Sequence, residues 1–159
     1  MSEHRHQFAI TNRWTGNLGT GTSSYAAYSR DHVFVSEGRP DLPGSSAPAF
    51  RGDPARYDPE TLLVASLSAC HMLWYLHFCA VNHIVVLEYE DQATGEMVTE
   101  PDGRGRFTSV ELRPRVVISA ASDESVARSL HGQAHEYCFI ANSVNFPVTC
   151  RPEMIRLAA

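Results

Sequence analysis

The feature that most restricts the fold of this chain is a long apolar stretch at 58–82, which reads DPETLLVASLSACHMLWYLHFCAVN. Asp58 suits an N-cap because its carboxylate accepts from the free N–H groups of a first turn. Pro59 fits the first helical position, where its missing N–H costs nothing, and Glu60 suits the positive end of the helix dipole. From 62 to 81 there is no Gly, Pro or charged residue other than His. The stretch therefore predicts one long helix over 58–82.

The apolar residues of this stretch surround the helix instead of keeping to one stripe. Such a helix is either buried on all sides or lies in a membrane, and about 20 residues are enough to span a bilayer. Ser66, Ser68, His71 and His77 are polar, however, and no basic residue flanks the ends. With a polar start to the chain and no apolar signal region, the sequence predicts a cytoplasmic protein with no membrane partner.

The length and composition of the chain narrow the kinds of protein that it can be. The length of 159 residues predicts a single domain, 1–159, that buries roughly two thirds of its unfolded surface. The formal charge of −5 comes from 18 acidic and 13 basic residues, all of the latter Arg, which argues against nucleic acid as a main partner. Four cysteines in a chain without a signal peptide are expected to be reduced thiols and not a disulfide framework.

The first third of the chain predicts short extended segments followed by a long loop. An edge strand is expected at 6–14, the turn sequence NLGTG lies at 17–21, and further extended segments are expected at 22–28 and 32–35. Residues 37–57 carry prolines and a Gly-Ser tract and show no periodicity. Loops of this length are often functional, and this one leads directly into the apolar helix.

After the helix the pattern changes to long strands and a second helix. Strands are predicted at 84–97 and 106–120, joined by the turn sequence EPDGRGR, and a last strand at 147–157. Between them, Ser122 is expected to cap a helix that runs to 137. This order of elements indicates an α+β fold. Because one small sheet cannot cover a helix that is apolar all round, we also expect an intertwined homodimer.

Two of the cysteines have surroundings that favour reactivity. Cys70 lies mid-helix among small residues that leave room for a reactant, and Cys138 is expected to open a short helical turn. A helix N-terminus lowers the pKa of a thiol below its usual value of about 8.5. The two are 68 positions apart, which is neither a metal knuckle nor a CxxC pair. Cys79 and Cys150 have no such surroundings and are interpreted as structural.

A metal site is a competing interpretation of the same region. His131, His135 and Cys138 have the spacing of one helix face, the Cys70–His71 pair could add ligands, and Zn²⁺ favours Cys and His. Gly132 weakens that helix, however, and Cys138 can lie beyond its end. The sequence therefore predicts no metal and no bound cofactor, with His135 at the surface.

The segment DPETLLVASLSACHM resembles the N-P-E-x-L-x-x-A-x-x-A-C motif of the OsmC/Ohr superfamily of hydroperoxide reductases. The segment AHEYCFIANS resembles the second cysteine motif of that family, A-x-x-x-C-P-x-S, although Phe139 replaces the proline. The likeness extends over nearly the whole chain. It implies an OsmC-like fold, in which curved antiparallel sheets surround a long buried central helix and two chains intertwine.

The resemblance also implies roles for individual residues. Cys70 corresponds to the peroxidatic nucleophile, Cys138 to the resolving cysteine and Glu60 to the glutamate at the start of the helix. In the family that glutamate pairs with an arginine, which position before the helix assigns to Arg51. The alternatives are Arg56 and Arg30.

These roles imply a thiol-dependent peroxidase that reduces organic hydroperoxides and is reset by an external thiol or dithiol. An apolar lining would favour organic over hydrogen peroxide; its expected members are Met72, Trp74, Phe139 and Phe146. The alternative is a small-molecule or metal-binding, stress-associated protein with the same fold and no peroxidase turnover. A third possibility is a structural dimer in which the cysteines are only buried.

Overall fold

The computed structural model describes residues 4–158, which form two compact units, the first ending at Leu62 and the second beginning at Leu63. The first unit contains strands β1 (Thr11–Trp14), β2 (His32–Val35) and β3 (Leu42–Gly44), and a 3₁₀ helix (Pro48–Phe50). Helix α1 (Pro59–Val81) begins in the first unit and continues into the second. The second unit contains β4 (Val86–Asp91), β5 (Thr94–Thr99), β6 (Gly105–Leu112), β7 (Pro114–Ile118), α2 (Glu124–Tyr137), a 3₁₀ helix (Ala141–Ser143), β8 (Val148–Cys150) and β9 (Glu153–Arg156). This content confirms the α+β class.

The sheet of the first unit is antiparallel, in the order β1-β2-β3. The strand predicted at 22–28 is wrong, because that segment consists of turns. In the preceding turn at 17–21 the Asn17 carboxamide oxygen accepts from the N–H groups of Gly19 at 2.9 Å and Gly21 at 3.0 Å. The loop predicted at 37–57 is more ordered than expected, since it contains β3 and the first 3₁₀ helix.

Helix α1 has the N-cap that the sequence predicts. One carboxylate oxygen of Asp58 accepts from the N–H of Thr61 at 2.8 Å, and the other accepts from the Thr61 hydroxyl. At the other end the Asn82 side chain donates to the carbonyl of Phe78 at 2.8 Å, and His83 takes a left-handed conformation with φ 60°. The helix predicted over 58–82 is therefore confirmed to within one residue at each end.

Burial of α1 differs from the prediction. Its fully buried residues all lie on one face: Leu67, His71, Tyr75, Phe78 and Cys79. On another face Leu73 is 63% exposed within the single chain. By length and composition alone α1 could also cross a membrane, as the core helix of many soluble proteins could. One chain thus covers one side of a helix whose apolar residues go all the way round.

The second unit contains two three-stranded sheets, β4-β7-β9 and β5-β6-β8. The strands from the hairpins pair antiparallel, but β8 pairs parallel with β6, and β9 pairs parallel with β7. The antiparallel sheets expected from the resemblance therefore each contain one parallel pairing in this unit, so that both sheets are mixed. The last strand, predicted as continuous over 147–157, is divided into β8 and β9 by Arg151 and Pro152.

The two long strands predicted at 84–97 and 106–120 are each divided in two. The breaks lie opposite each other, where Asp91 accepts from the N–H of Arg113 at 2.7 Å and the Arg113 guanidinium donates to the Gln92 carbonyl at 3.1 Å. The hairpin therefore contributes one half to each sheet. Its tip is the predicted turn, in which Gly103 has φ 87° and donates to the Glu100 carbonyl.

Helix α2 begins at Glu124, and its N-cap is Asp123. One oxygen of the Asp123 carboxylate accepts from the N–H groups of Ser125 at 2.8 Å and Val126 at 3.1 Å. The prediction that Ser122 caps this helix is wrong. The Ser122 hydroxyl instead accepts from the N–H of Val85 at 2.9 Å, which ties the start of α2 to the chain just before β4.

Candidate functional site

Cys70 and Cys138, the two cysteines that the sequence singles out, lie side by side in the second unit. Cys70 is in the middle of α1 and is partly exposed, whereas Cys138 follows the end of α2 and is 1% exposed. The Cys70 thiol is near enough to contribute to the raised pKa of Cys138, and no disulfide joins the two. The fold therefore brings together two residues that are 68 positions apart in the chain, one partly exposed and one buried.

The surroundings of Cys138 differ from the prediction. It is the C-cap of α2 and lies ahead of the short 3₁₀ helix Ala141–Ser143, so it does not open a helix. Burial raises the pKa of the Cys138 thiol to about 11, the Ala141 N–H opposes this rise, and the neighbouring Cys70 thiol adds to it. The expectation of a lowered pKa is wrong because burial outweighs the two backbone donors, the N–H groups of Ala141 and Ile140.

Aromatic residues lie close in sequence to Cys70 and Cys138. The Trp74 ring meets that of Phe139 edge-on, with centroids 5.4 Å apart, and that of Tyr137 at 5.3 Å. Phe146 packs against Phe107, centroids 5.6 Å apart, in the hydrophobic cluster around Leu67. Two of the four predicted lining residues, Trp74 and Phe139, thus form a contact with each other, and Phe139 remains largely exposed.

Glu60 lies in the first turn of α1, within the first unit. Its Oε2 atom is buried and has no hydrogen-bond partner, and over residues 4–158 Glu60 forms no salt bridge. An unpaired buried carboxylate oxygen is unfavourable unless a donor reaches it. The arginine pairing implied by the resemblance is therefore not formed in this structure, although the carboxylate has an oxygen available for it.

The preferred arginine, Arg51, follows the 3₁₀ helix Pro48–Phe50 in a left-handed conformation with φ 66°. It is exposed, its guanidinium lies 5.2 Å from the centre of the Tyr25 ring, and it has no ion pair among the residues that the structure describes.

The two alternative arginines already have partners. The Arg30 guanidinium lies 4.3 Å from the rings of both Tyr25 and Tyr28 and donates to two backbone carbonyls. The Arg56 guanidinium pairs with Asp53 at 3.3 Å and with Asp31 at 3.8 Å. Of the three candidates, Arg51 is thus the one without a charged or hydrogen-bonded partner in the described chain.

A second cluster, which the sequence did not predict, lies in the second unit and consists of His71, His131 and Cys150. The Nε2 atom of His71 is 3.0 Å from Nδ1 of His131, and the Cys150 sulfur is 3.6 Å and 3.8 Å from these two nitrogens. The sequence spacing indicated His131 as a candidate metal ligand but grouped it with His135 and Cys138. Cys150, the last residue of β8, was interpreted as structural because it lacks the sequence surroundings that favour reactivity in Cys70 and Cys138.

The three groups of this cluster are uncharged at neutral pH. Burial lowers the pKa of His71 to about 4 and that of His131 to about 3. Burial also raises the pKa of the Cys150 thiol to about 12, and the nearby Asp91 carboxylate adds to this rise.

Comparison with known proteins gives one family and a group of related structures. The family model described as OsmC-like protein matches residues 52–153. An OsmC-like protein of unknown function from Vibrio cholerae is 34% identical, with a TM-score of 0.81 over 96% of this chain and 100% of that one. An organic hydroperoxide resistance protein OsmC from Legionella pneumophila is 16% identical (TM-score 0.67; 96% and 99% covered), and one from Elizabethkingia anophelis is 17% identical (TM-score 0.66; 97% and 100% covered). No curated protein matches the chain.

Proposed function

This chain belongs to the OsmC-like protein family, and from that membership we propose that it is a thiol-dependent peroxidase that reduces organic hydroperoxides. Its fold is shared with proteins named for organic hydroperoxide resistance, which supports a redox role in stress defence. The observation that carries the proposal is the contact between the partly exposed Cys70 and the buried Cys138. Reactive thiols of redox proteins are accessible and often lie next to a resolving cysteine.

In the first step the Cys70 thiolate attacks the distal oxygen of the peroxide. The O–O bond breaks, a sulfur–oxygen bond forms, and the alkoxide takes up a proton and leaves as an alcohol. Cys70 is oxidised to sulfenic acid and the peroxide is reduced. Cys138 does not compete for the peroxide, because its raised pKa keeps it a thiol at neutral pH.

In the second step the Cys138 sulfur attacks the Cys70 sulfenic acid. A disulfide forms, and the thiol proton leaves with the hydroxyl group as water. Because the side chains are already neighbours, closure requires no large rearrangement. An external thiol or dithiol then reduces the disulfide by exchange and restores both thiols, so no resident cofactor is needed.

Glu60 and Arg51 are proposed to favour the Cys70 thiolate. The family resemblance assigns them to this role, in which the carboxylate fixes the guanidinium by a charge-assisted hydrogen bond. The buried, unpaired Oε2 of Glu60 and the absence of an ion pair on Arg51 among the described residues support the pairing. A neighbouring guanidinium would offset the cost of a thiolate in an apolar helix.

The substrate is proposed to be an organic hydroperoxide because aromatic side chains flank both cysteines in sequence, as in the contact of Trp74 with Phe139. The functional unit is proposed to be a homodimer, since α1 leaves an apolar face uncovered in one chain. A cytoplasmic location is proposed separately, because reduced cysteines are typical of that compartment.

The experiment is mass spectrometry of the reduced protein after one equivalent of cumene hydroperoxide, with dimedone present to trap sulfenic acid. A Cys70–Cys138 disulfide and release of one equivalent of cumyl alcohol are expected. If neither residue changes mass, the peroxidase proposal fails, and a binding protein with the same fold and no turnover takes its place.

A further inference from the structure

The cluster of His71, His131 and Cys150 takes no part in the peroxide chemistry. Its members come from three different elements, α1, α2 and β8, and their ligand atoms all lie within 4.8 Å of one another. His71 is 1% exposed and His131 is 4% exposed. We propose that these three side chains bind one Zn²⁺ ion, through Nε2 of His71, Nδ1 of His131 and the Cys150 sulfur, at a site separate from the Cys70–Cys138 pair.

The distances fit a tetrahedral ion. Zn–N bonds of about 2.0–2.1 Å and Zn–S bonds of about 2.3 Å place tetrahedral ligands roughly 3.3 Å apart for two nitrogens and roughly 3.6 Å apart for nitrogen and sulfur. The observed separations are 3.0 Å between the nitrogens, and 3.6 and 3.8 Å from the sulfur to each nitrogen. The ligand atoms are therefore close enough for one ion, and each imidazole must turn so that its lone pair points at the ion and not at the other ring.

Without a metal this cluster has no fixed tautomer. The two inner nitrogens share one proton, and either ring can donate it to the other. The outer atoms, Nδ1 of His71 and Nε2 of His131, are buried without partners and therefore favour neither arrangement. A metal ion would use the lone pairs of both inner nitrogens and fix one tautomer for each ring, with the proton on the outer nitrogen.

Packing holds the two rings in place. Tyr75 stacks on His131 with ring centroids 3.8 Å apart and planes 11° from parallel, and the His71 and His131 rings are within 6° of parallel. Tyr75 is itself fully buried. Packing that fixes the ligands before the ion arrives reduces the entropy that binding would otherwise cost.

The charges near the cluster also suit a cation. On binding, the Cys150 S–H bond breaks, its proton passes to solvent and the sulfur binds as thiolate, which leaves one net positive charge on the ion and its ligands. The Asp91 carboxylate is near enough to affect both His71 and Cys150, and it is held by the Ser68 hydroxyl and the Arg113 N–H. Arg128 is the opposing cation near His131, and it pairs with Glu124 at 3.2 Å.

An ion can reach the cluster from solvent. His131 and Cys150 line an open cavity of about 420 Å³, together with Arg128, Gly132 and His135. Three protein ligands with a fourth position open to such a cavity are typical of zinc sites that hold a water or an exchangeable small ligand. Two imidazoles and a thiolate favour Zn²⁺ over Mg²⁺ or Ca²⁺, which prefer oxygen ligands.

The test is metal titration of the full chain after removal of metals with a chelator and reduction of its thiols. Isothermal titration calorimetry is expected to show one Zn²⁺ per chain and no Mg²⁺. Co²⁺ serves as the spectroscopic probe, and a thiolate-to-cobalt charge-transfer band is expected. The proposal is overturned if the wild-type chain does not bind Zn²⁺ stoichiometrically, or if the Co²⁺ complex lacks that band.

Variants identify the ligands. Cys150→Ser and His131→Ala are expected to weaken Zn²⁺ binding at least a hundredfold, whereas the matched control Cys79→Ser, which alters another buried cysteine of the second unit, keeps it. Cys70→Ser is expected to keep it as well, which separates this site from the redox pair. Equal binding by Cys150→Ser and Cys79→Ser, or loss of binding only in Cys70→Ser, overturns the assignment. Circular dichroism checks that each variant is folded, and His71→Ala replaces any that is not.

Discussion

The backbone N–H of Ala141 points at the sulfur of Cys138 across 3.5 Å. Together with the Ile140 N–H it favours a thiolate, but the side chain is 1% exposed, and removal from water favours the neutral thiol more strongly. The result is a cysteine whose pKa is raised to about 11. Its nucleophilicity at neutral pH is therefore low.

We predict that Cys138 remains a thiol to well above neutral pH. In a pH titration of the reduced protein, followed by the ¹³Cβ chemical shift of Cys138, little change is expected between pH 6 and 9. The midpoint is expected close to the pKa of about 11 that burial produces. A midpoint below the free-cysteine value of about 8.5 would show that the Ala141 donor dominates instead.

Replacing the two cysteines is predicted to have different effects. Cys70→Ser is expected to abolish peroxide reduction, because a nucleophile is needed to break the O–O bond. Cys138→Ser is expected to consume about one equivalent of cumene hydroperoxide and stop as a dimedone-reactive sulfenic acid, since a resolving thiol is needed only to recycle the enzyme. Product analysis and mass spectrometry measure both.

Two other cysteines provide the controls for this pair. Cys79→Ser and Cys150→Ser are expected to turn over normally, with any loss of activity following a loss of stability. Turnover that survives in Cys70→Ser but is lost in Cys150→Ser would move the reactive centre to the other cluster and contradict the assigned roles.

Arg51→Ala is predicted to lower the rate of peroxide reduction by about a hundredfold or more, the usual effect of removing a group that stabilises charge at a reacting centre. Its effect on the free energy of unfolding is expected to stay within about 0.5 kcal/mol, because the side chain is exposed and has no ion pair in the described structure. Stopped-flow kinetics and denaturant unfolding separate the two quantities.

Arg56→Ala is the matched control, because it removes an arginine of the same loop that already pairs with Asp31 and Asp53. It is expected to lower the melting temperature more than the rate. Full activity in Arg51→Ala together with loss in Arg56→Ala or Arg30→Ala would assign the role to a different arginine and leave the mechanism intact.

The parts of the fold that were predicted correctly are those specified by nearby residues. Asp58, Pro59 and the uninterrupted apolar run define α1 locally, and the Gly103 turn is likewise local. The breaks at Gln92 and Arg113 were missed because they depend on contacts between distant segments, such as Asp91 accepting from Arg113. The parallel pairing of β8 with β6 and of β9 with β7 depends in the same way on tertiary structure.

The same distinction between local sequence and tertiary contacts applies to the residues of the candidate site. Cys70 and Cys138 were singled out because each lies in a recognisable local motif, and in the structure the Cys70 thiol is near enough to affect the pKa of Cys138. Cys150 has no local motif, and its position beside His71 follows from the pairing of β8 with β6. The pKa of Cys138 was predicted in the wrong direction because burial cannot be read from neighbouring residues.

Stability is predicted to depend on pH through Asp123. The Ser125 hydroxyl, followed by the Val126 and Ser125 N–H groups, holds the pKa of this carboxyl below its ordinary value of 3.8. A lowered folded-state pKa contributes stability above the unfolded-state value, and that stability is lost as the pH falls through the folded-state value. Asp123→Ala is therefore expected to lower the melting temperature by a few degrees at pH 7 and by less at pH 3.

Asp123→Asn tests the cause of that dependence. Asn also caps helices but carries no charge, so most of the stability at pH 7 is expected to remain. Differential scanning calorimetry is expected to show a small advantage of wild type at pH 7 that disappears as the pH falls to 3, where the wild-type carboxylate takes up a proton. An effect of Asp123→Ala that stays constant from pH 7 to pH 3 would show that the carboxylate charge contributes nothing.

The uncovered face of α1 predicts the oligomeric state. Leu73 is 63% exposed in a single chain, and the apolar residues Val81, Val85 and Leu87 are also more than half exposed. Apolar surface of this kind is typical of an interface between subunits, so we expect two chains to pack with their α1 helices near the centre. Sedimentation equilibrium is expected to give twice the chain mass of 17.6 kDa.

A substitution on that face tests whether it forms the interface. Leu73→Arg is expected to shift the protein to monomers and to lower its stability, because a guanidinium would have to be desolvated where two apolar helices meet. Leu18→Arg is the matched control, since Leu18 is equally apolar and 71% exposed but lies in the turn at 17–21, away from α1 in sequence. Wild-type monomers at micromolar concentration, or dimers that persist in Leu73→Arg and dissociate in Leu18→Arg, would show that this face of α1 is not the interface.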